Sequence, residues 1–386
     1  MVSLPYSGWG NVSDSVRVSL LTCAPGSEIY SLFGHTALRY ENPAKGEDWV
    51  FNYGLFSFDT PNFVYRFVKG ETDYQLGVIP YRYFEGEYAM RESSVYQQEL
   101  NLTDKEKENV IRLLRENYLP ANRVYRYNYF YDNCTTRARD KVEQGIEGKV
   151  VYPESEKMCS FRSVVREYTA GHEWSAFGID LCLGSEADEP IDERKQMFSP
   201  FYMLEYARGA MIHRADTIVP FVKEEKLLLD FSTKDEDVFE KDEDVFLPSP
   251  WACALIWWVL TFVVTALGIK NGKVYWLWDV LLFGAQGLAG CIIAFLFFFS
   301  IHPTVGSNWL LMILNPLPLL YMPFMIYKAI KGKTDVFHVI NTMVLLLFII
   351  LMPIVQQKFN VTVLPLALNL LTCSVGHLII YNRRKK

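Results

Sequence analysis

Five apolar stretches near the end of the chain constrain its fold more than any other feature of the sequence. They cover residues 251–269, 280–300, 310–329, 336–355 and 361–381, and almost no charged residue lies inside them. Each is close to the ~20 residues that an α-helix needs to cross a hydrocarbon core about 30 Å thick. A soluble core can contain one or two such runs, but five in succession predict an all-α bundle of about five transmembrane helices over residues 249–386.

Basic residues in the connecting segments predict which helix ends face the cytoplasm. The first connecting segment contains Lys270 and Lys273, and the third contains Lys328, Lys331 and Lys333. The tail contains Arg383, Arg384, Lys385 and Lys386. The second segment contains no Lys or Arg, and the fourth contains only Lys358. Because cytoplasmic loops are enriched in Lys and Arg, we expect a cytoplasmic tail, and five crossings then place the N-terminal part on the outer face of a bacterial inner membrane.

Such an outer domain needs an export signal. Residues 1–5 contain neither a basic start nor an apolar segment, which by itself favours a cytosolic N-terminus. The charge pattern outweighs this, so we expect that a signal peptide preceded the present first residue and was removed.

A few polar residues interrupt the membrane block. His302, His338 and His377 lie near the ends of predicted helices, where an imidazole at the interface costs little, so we expect no function from them. Asn315 with the two prolines that follow it, Pro316 and Pro318, predicts a third helix that is either broken or kinked.

The first part of the chain has the pattern of an α+β domain. Alternating residues predict strands at 16–21, 36–40, 49–53, 74–80, 94–100 and 124–131. A capping-box pattern at 103–106 opens a helix to about Tyr118, a second helix follows 132–137 and runs to about Gln144, and shorter helices are expected at 162–168 and 200–213. We assign residues 1–222 to this domain and 223–248, where the acidic motif KDEDVF occurs twice, to a solvated linker.

Two short sequences contain the residues with the clearest chemistry. Cys134 follows Asp132 and Asn133, either of which can cap a helix, so the thiol is expected in a first helical turn, where the helix dipole favours a thiolate. His35 follows a glycine at the start of a predicted strand and is the best candidate for its base. A lone Cys or His is usually a core residue, but this combination favours a catalytic pair.

Such sites usually contain a third polar group that orients the imidazole. Asn52, in the next strand, is our choice over Asp48 and Glu47, and His172 is a weaker alternative to His35 as the base. Around the pair, the residues predicted to bind substrate are Tyr53, Arg39, Arg137 and Asn133, although the arginines could equally be partners in salt bridges.

Several classes of site are excluded by the motifs that the sequence lacks. There is no G-x-S-x-G, H-E-x-x-H or C-x-x-C sequence, so we predict no serine hydrolase elbow, no metal ion and no cofactor. The formal net charge of -6 gives no sign of nucleic-acid binding. A disulfide between Cys159 and Cys182 cannot be deduced from the sequence, and the aromatic residues at 56–67 either pack in the core or face an acyl chain.

The order of His before Cys resembles the permuted papain-like enzymes of the NlpC and lecithin:retinol acyltransferase branch. The sequences FGHTALR, FNYG and YDNCTTR, with the stretch 174–188, are more closely similar to the Lnb N-terminal periplasmic domain family. The resemblance covers residues 16–220 of this chain. Members of this family in Bacteroidota carry transmembrane helices after the domain, so the resemblance implies a permuted papain-like periplasmic domain followed by the helical bundle.

The resemblance also implies an activity, the N-acylation of bacterial lipoproteins, with Cys134 and His35 at the positions of the family's Cys and His. Its partners would be a membrane phospholipid as acyl donor, a diacylated lipoprotein as acceptor, and the lipid bilayer, with the acyl chain held as a Cys134 thioester. Two alternatives remain open: a membrane-tethered cysteine peptidase or amidase acting on the cell wall, and a non-catalytic sensor. A sensor is disfavoured because only residues 382–386 follow the last helix, too few for an output domain.

Overall fold

The computed structural model describes residues 16–232 and 248–385, apart from 27, 29, 30, 58, 60 and 156. The chain forms two compact units. The first contains the described residues up to Phe63, then Glu71–Cys159, and those from Ile191 to residue 232. The second contains Val64–Gly70, Ser160–Pro190 and the described residues from 248 onward.

The first unit is built on an antiparallel sheet. The strands, in chain order, are β1 (Arg17–Cys23), β2 (His35–Asn42), β3 (Glu47–Leu55), β4 (Asp73–Pro80), β5 (Val95–Leu100), β6 (Val124–Arg126), β7 (Lys149–Val151), β8 (Cys159–Ser160), β9 (Pro190–Ile191), β10 (Met211–His213), β11 (Ile218–Pro220) and β12 (Val222–Leu229). Seven of them lie side by side in the order β12, β5, β1, β2, β3, β4, β6, and β11, β10 and β7 form a smaller sheet.

The helices before the linker are α1 (Phe63–Lys69), α2 (Tyr81–Met90), α3 (Asp104–Tyr118), α4 (Cys134–Gly145), α5 (Phe161–Tyr168), α6 (Glu173–Cys182), α7 (Glu193–Gln196) and α8 (Pro200–Gly209). The predicted capping box of α3 is confirmed: the Thr103 hydroxyl accepts from the Glu106 N–H, and the Glu106 carboxylate accepts from the Thr103 N–H. This capping box satisfies two N–H groups that would otherwise be unpaired at the start of the helix.

The large sheet is buried on both faces. Because successive side chains of a strand point to opposite faces, Leu20 of β1 enters one core with residues of α3 and α4. Its neighbour Leu21 enters a second core with Phe84 and Tyr88 of α2. The predicted α+β class is confirmed, and the helices α3 and α4 are held against the strands that carry the candidate site.

Three predicted boundaries in this unit are wrong, each for a local reason. The strand predicted at 124–131 ends at Arg126, since the Asn128 side chain accepts from two backbone N–H groups and turns the chain. The helix predicted at 200–213 ends at Gly209, because Met211–His213 pairs with two strands instead. The predicted linker starts too early: β12 pairs with β5 and extends the folded chain to Leu229.

The acidic repeat of the linker lies outside the described residues. After the linker, the described residues of the second unit form five α-helices: α9 (Pro250–Asn271), α10 (Trp276–Phe299), α11 (Leu317–Lys331), α12 (Val336–Leu351) and α13 (Val363–Lys385). Four helical spans are long and apolar enough to cross a membrane, and α12 is a shorter apolar helix. The predicted bundle of about five helices is therefore confirmed by the described part of the chain.

The third span is broken rather than kinked, which is one of the two outcomes that Asn315 and its prolines left open. A short 3₁₀ helix (Trp309–Met312) is separated from α11 by residues 313–316. The Asn315 side chain accepts from the N–H of Leu317, the first residue of α11, at 3.2 Å. A Cβ on Gly290 of α10 would lie 2.3 Å from the Asn315 backbone. Only glycine allows this close approach, in the manner of small residues between membrane helices.

Two segments from the N-terminal part of the sequence belong to the second unit. Within it, Gly184 donates to the Thr304 carbonyl at 2.6 Å, Gln357 donates to the Leu183 carbonyl at 3.2 Å, and the Ser300 hydroxyl donates to the Val68 carbonyl at 2.9 Å. We had predicted a single domain over residues 1–222. The described residues of this range are instead divided between the two units. The segments contact the second and fourth connecting segments of the bundle, the two that are poor in Lys and Arg.

A buried arginine holds one of these segments together. The Arg162 side chain is 1% exposed and pairs with Asp180 and Asp188, each at 3.0 Å. It also donates to the carbonyls of Leu183 and Gly184 at 2.9 Å. Burying a guanidinium is costly unless its donors are satisfied, and here two carboxylates and three carbonyls, the third being that of Asp180, satisfy them.

Candidate active site

The candidate nucleophile, Cys134, is the first residue of α4. Asn133 is the N-cap, and its side-chain oxygen accepts from the N–H groups of Thr135 and Thr136, both at 2.9 Å. The cap predicted at Asp132 or Asn133 is thus Asn133. The thiol lies at the positive end of the helix dipole, which stabilises a negative sulfur.

The start of α4 is anchored on its other side as well. The Asn133 amide nitrogen donates to the carbonyls of Tyr129 at 2.8 Å and of Phe198 at 2.9 Å. With its oxygen and its nitrogen both used, Asn133 fixes where α4 begins. This side chain therefore helps to set the position of the thiol.

The candidate base, His35, is the first residue of β2. Gly34 before it has a φ of 74°, and a Cβ at this position would lie 2.6 Å from the Cys23 carbonyl oxygen. Both the positive φ and the lack of space require glycine. This turn sets the imidazole at the end of the sheet.

Contacts between β2, β3 and α4 bring the pair together. The buried hydroxyls of Thr36 and Thr135 are hydrogen-bonded at 3.0 Å, which joins the residue after His35 to the residue after Cys134. A Cβ on Gly54 of β3 would lie 3.7 Å from the Cys134 Cβ, so the strand passes close to the thiol. The Cys134 thiol and the His35 imidazole are 99 residues apart in sequence, as are Thr36 and Thr135. The structure places them within one site.

Asn52 is the third member of this site. The His35 Nε2–H donates to the Asn52 Oδ1 at 2.6 Å, and Asn52 is buried. Since Nε2 is used in this way, Nδ1 is the ring nitrogen that remains for the Cys134 thiol. Of the alternatives, Asp48 is paired with Arg39 instead, so Asn52 is the one that holds the imidazole.

The site favours a charged pair. Burial raises the pKa of the Cys134 thiol, but the His35 charge, the His35 hydrogen bond, the Thr36 N–H and the Thr135 hydroxyl together lower this pKa to about 7. For His35, burial lowers the pKa, whereas the Cys134 sulfur and the Asn52 hydrogen bond raise it, and the net direction is upward. A thiolate beside an imidazolium is the reactive form of a cysteine nucleophile.

The residues predicted to bind substrate all have partners within the protein. The fully buried Tyr53 hydroxyl donates to Asn117 at 2.6 Å. Arg39 pairs with Asp48 at 2.7 Å and donates to Gln97 at 2.8 Å. These contacts give the residues structural roles, and their contact with substrate stays a prediction.

Arg137 is held in the same way. It donates to both carboxylate oxygens of Asp132, at 2.5 and 2.7 Å, and its guanidinium lies 3.6 Å from the centre of the Tyr125 ring. Asn133, as described, is the cap of α4. His172, our weaker alternative for the base, precedes α6 in the second unit.

The sequence did not indicate every residue of the site. Thr36, Thr135 and Gly54 were missed, although Thr36 and Thr135 directly follow the two residues that we did select. The seven cysteines are free thiols, so the Cys159–Cys182 disulfide is not formed. Cys159 instead lies 3.7 Å from the Tyr202 hydroxyl.

Comparison with protein families finds two matches along this chain. Residues 10–167, which contain His35, Asn52 and Cys134, match the family described as the Lnb N-terminal periplasmic domain. Residues 240–385 match the family described as the Lnb transmembrane domain. The chain belongs to the Lnb family. This is a family of lipoprotein N-acyltransferases, and the chain is accordingly a multi-pass membrane protein with a periplasmic N-terminal domain.

The two Lnb matches leave residues 168–239 uncovered. Our predicted resemblance covered residues 16–220 and used the stretch 174–188. That stretch, and the rest of the range after residue 167, fall in this gap. Curated proteins and solved structures gave no match. The family is thus shown by the periplasmic and transmembrane parts, and the chemistry is argued from the geometry at Cys134.

Proposed function

We propose that this chain is a lipoprotein N-acyltransferase that uses Cys134 as its nucleophile. The observation that carries the proposal is the triad at the start of α4: a thiol with a pKa lowered to about 7, an imidazole beside it, and Asn52 bonded to that imidazole at 2.6 Å. The Lnb family supplies the class of reaction. The acyl donor is a membrane phospholipid, and the acceptor is the α-amine of a diacylglyceryl-cysteine at a lipoprotein N-terminus.

In the first half-reaction the Cys134 thiolate attacks an ester carbonyl of the phospholipid. The ester C–O bond breaks, and the departing alkoxide takes a proton from the His35 imidazolium. The products are a lysophospholipid and an acyl thioester on Cys134. Splitting acyl transfer into two steps in this way is the general advantage of covalent catalysis.

In the second half-reaction the lipoprotein α-amine attacks the thioester carbonyl. Neutral His35 accepts a proton from the nitrogen, the C–S bond breaks, and the thiolate and imidazolium return to their starting state. The acyl chain is now held by an amide bond. Asn52 keeps the imidazole in one orientation through both steps, as the third member of such triads does.

Each tetrahedral intermediate carries a negative oxygen that needs donors. The N–H groups of Thr135 and Thr136 are occupied by the Asn133 side chain, and that of Arg137 by the Asn133 carbonyl at 3.1 Å. The Cys134 N–H is the first N–H group of α4. We assign it as one donor of the oxyanion hole, at the positive end of α4.

The order of the elements supports a permuted papain-like fold for the catalytic unit. His35 opens a strand early in the chain, Asn52 lies in the next strand, and Cys134 opens a later helix that packs on both strands. The chain runs on from this unit to five apolar helices. An enzyme whose donor and acceptor are both anchored by acyl chains needs such a membrane attachment.

The membrane unit supports the sided topology. Its second and fourth connecting segments contact residues 160–190, whereas Arg384 of the tail donates to the Gly272 carbonyl in the first connecting segment. The basic segments therefore gather at one end of the bundle and the others at the opposite end. By the charge rule, the end with Arg384 is cytoplasmic.

The decisive experiment follows the acyl group. The full-length protein in membranes would be supplied with a phospholipid bearing a labelled acyl chain and with a diacylated lipoprotein, and mass spectrometry would read both proteins. We expect a thioester on Cys134 before the acceptor is added and triacylated lipoprotein afterwards. Cys134→Ala removes both products, His35→Ala prevents the thioester, and Cys291→Ser, an exposed cysteine of α10, leaves both unchanged.

Two results would overturn the proposal. One is triacylated lipoprotein formed at the wild-type rate by Cys134→Ala. The other is a stable acyl adduct on a residue other than Cys134 that passes its label to the lipoprotein.

A further inference from the structure

A second group of cysteine, histidine and carboxylate lies inside the membrane unit. The Cys373 Sγ is 3.2 Å from one oxygen of Asp279, and the His377 Nε2 is 3.0 Å from the other. One ligand-type atom from each residue lies within 4.8 Å of the other two, and all three side chains are buried. The sequence had placed Asp279 before the second span and His377 near the end of the last, but both lie within helices.

This cluster is costly where it stands. A charged side chain within a membrane span is unfavourable unless it is paired, and such residues usually mark a function. Here Asp279 of α10 meets Cys373 and His377 of α13, which are four residues apart on one face of that helix. Packing alone would be served better by apolar residues of similar size.

Each of the three donors is of a type that zinc binds. Zn²⁺ binds thiolate, imidazole and carboxylate in tetrahedral geometry, with ligand atoms about 2.0–2.3 Å from the metal. Thiolate and carboxylate together neutralise its two positive charges, so the loaded site would be neutral, which suits a buried position in a membrane span. A harder ion such as Mg²⁺ or Ca²⁺ would not select a thiol.

The surroundings provide room and a further histidine. A cavity of about 20 Å³ is lined by all three residues together with Lys273 and Tyr275 of the first connecting segment, and this is enough for one water or ion. The His338 ring stacks on the His377 ring with centroids 3.7 Å apart. His338 is fully buried, and neither its Nε2 nor the His377 Nδ1 has a hydrogen-bond partner among the described residues.

We propose that Asp279, Cys373 and His377 bind one Zn²⁺ ion in the transmembrane domain, with a fourth position open to the adjoining cavity. The site is separate from the Cys134 thiol and takes no part in the acyl-transfer steps above. It would fasten α10 to α13 near the first connecting segment. Our expectation of no metal ion came from motifs, and those motifs do not include a carboxylate brought in from another helix.

The test uses the full-length protein in detergent. After incubation with stoichiometric Zn²⁺ and removal of free ion, metal analysis of the wild-type protein should give about one zinc per chain. Replacing Zn²⁺ by Co²⁺ should produce the near-ultraviolet charge-transfer band of a cobalt–thiolate bond, which reports a sulfur ligand directly. Because this reading needs only the wild-type chain, it does not depend on whether a variant folds.

Variants then locate the site. Cys373→Ser should abolish the cobalt–thiolate band and His377→Ala should reduce bound zinc at least about tenfold, whereas Cys291→Ser and Cys134→Ser should keep both signals. A wild-type chain with no bound zinc and no cobalt–thiolate band would show an Asp279–His377 ion pair only, and would overturn the proposal. Metal retained by Cys373→Ser and His377→Ala, or a band lost in Cys134→Ser, would overturn it as well.

Discussion

The two units of this protein each place a cysteine beside a histidine and an amide or carboxylate, yet the two sites differ in what surrounds the sulfur. In the periplasmic unit Cys134 is partly exposed, begins a helix, and faces His35. In the membrane unit Cys373 is buried within α13 and faces a carboxylate oxygen at 3.2 Å. The Cys134 sulfur thus meets hydrogen-bond donors, whereas the Cys373 sulfur meets an acceptor.

The difference decides the chemistry of each sulfur. Donors and a positive helix end stabilise a thiolate that can attack a substrate. A carboxylate next to a buried thiol disfavours the thiolate unless a cation lies between them. Cys134 is therefore suited to react, whereas Cys373 is suited to bind a metal ion.

The largest effect that separates the two sites is expected for Cys134→Ser. A serine hydroxyl is not ionised by a neighbouring imidazole in the way that a thiol is, so acylation of lipoprotein should fall at least about 1000-fold. Mass spectrometry of the lipoprotein N-terminus would measure it, with Cys291→Ser as the matched control. A Cys134→Ser variant that keeps a tenth of the activity would show that the sulfur is not the nucleophile.

The next effect concerns the group that orients the base. Asn52→Ala removes the 2.6 Å hydrogen bond to His35 and should lower kcat by about 10- to 100-fold, with little change in KM, because the imidazole is no longer fixed. Asn52→Gln, which keeps the amide, should recover part of the loss. Equal changes in kcat and KM, without recovery by glutamine, would indicate a role in packing instead.

A third prediction compares the reactivity of the two thiols with pH. The pKa of Cys134 is lowered to about 7, so its alkylation by iodoacetamide should be fast above that pH and should slow as the thiolate is protonated below it. In His35→Gln the apparent pKa should rise by at least about one unit, since the neighbouring charge is lost.

Cys373, being buried, should react only after unfolding. Labelled peptides identified by mass spectrometry would distinguish the two sulfurs in one experiment. A Cys134 profile that His35→Gln leaves unchanged would show that His35 does not set its pKa.

The smallest effect is expected for the threonine pair behind the thiol. Thr135→Val leaves the buried Thr36 hydroxyl without its 3.0 Å partner and should cost about 1–2 kcal/mol of the free energy of unfolding. It should also raise the Cys134 pKa slightly, because one donor to the sulfur is lost. Thr135→Ser keeps the hydroxyl and should behave as wild type in urea unfolding and in alkylation.

The sequence alone was sufficient for the features that depend on local chemistry. Apolar length predicted about five helices, a cap at Asp132 or Asn133 predicted the helix start at Cys134, and Asn315 with its prolines predicted either a break or a kink in the third span. Each of these signals lies within a few residues of the feature that it determines. They follow from hydrophobic length, capping and the missing N–H of proline.

The contacts between distant residues were decided by the tertiary structure. Leu38 pairs with Phe51 at the end of the register of β2 and β3, and Asn52, the residue after Phe51, meets His35 through the 2.6 Å hydrogen bond. A register is set by the whole sheet, so the sequence could only nominate Asn52 among its neighbours. The partners of Arg162 and the meeting of Asp279 with Cys373 and His377 depend in the same way on how helices pack, which no local pattern encodes.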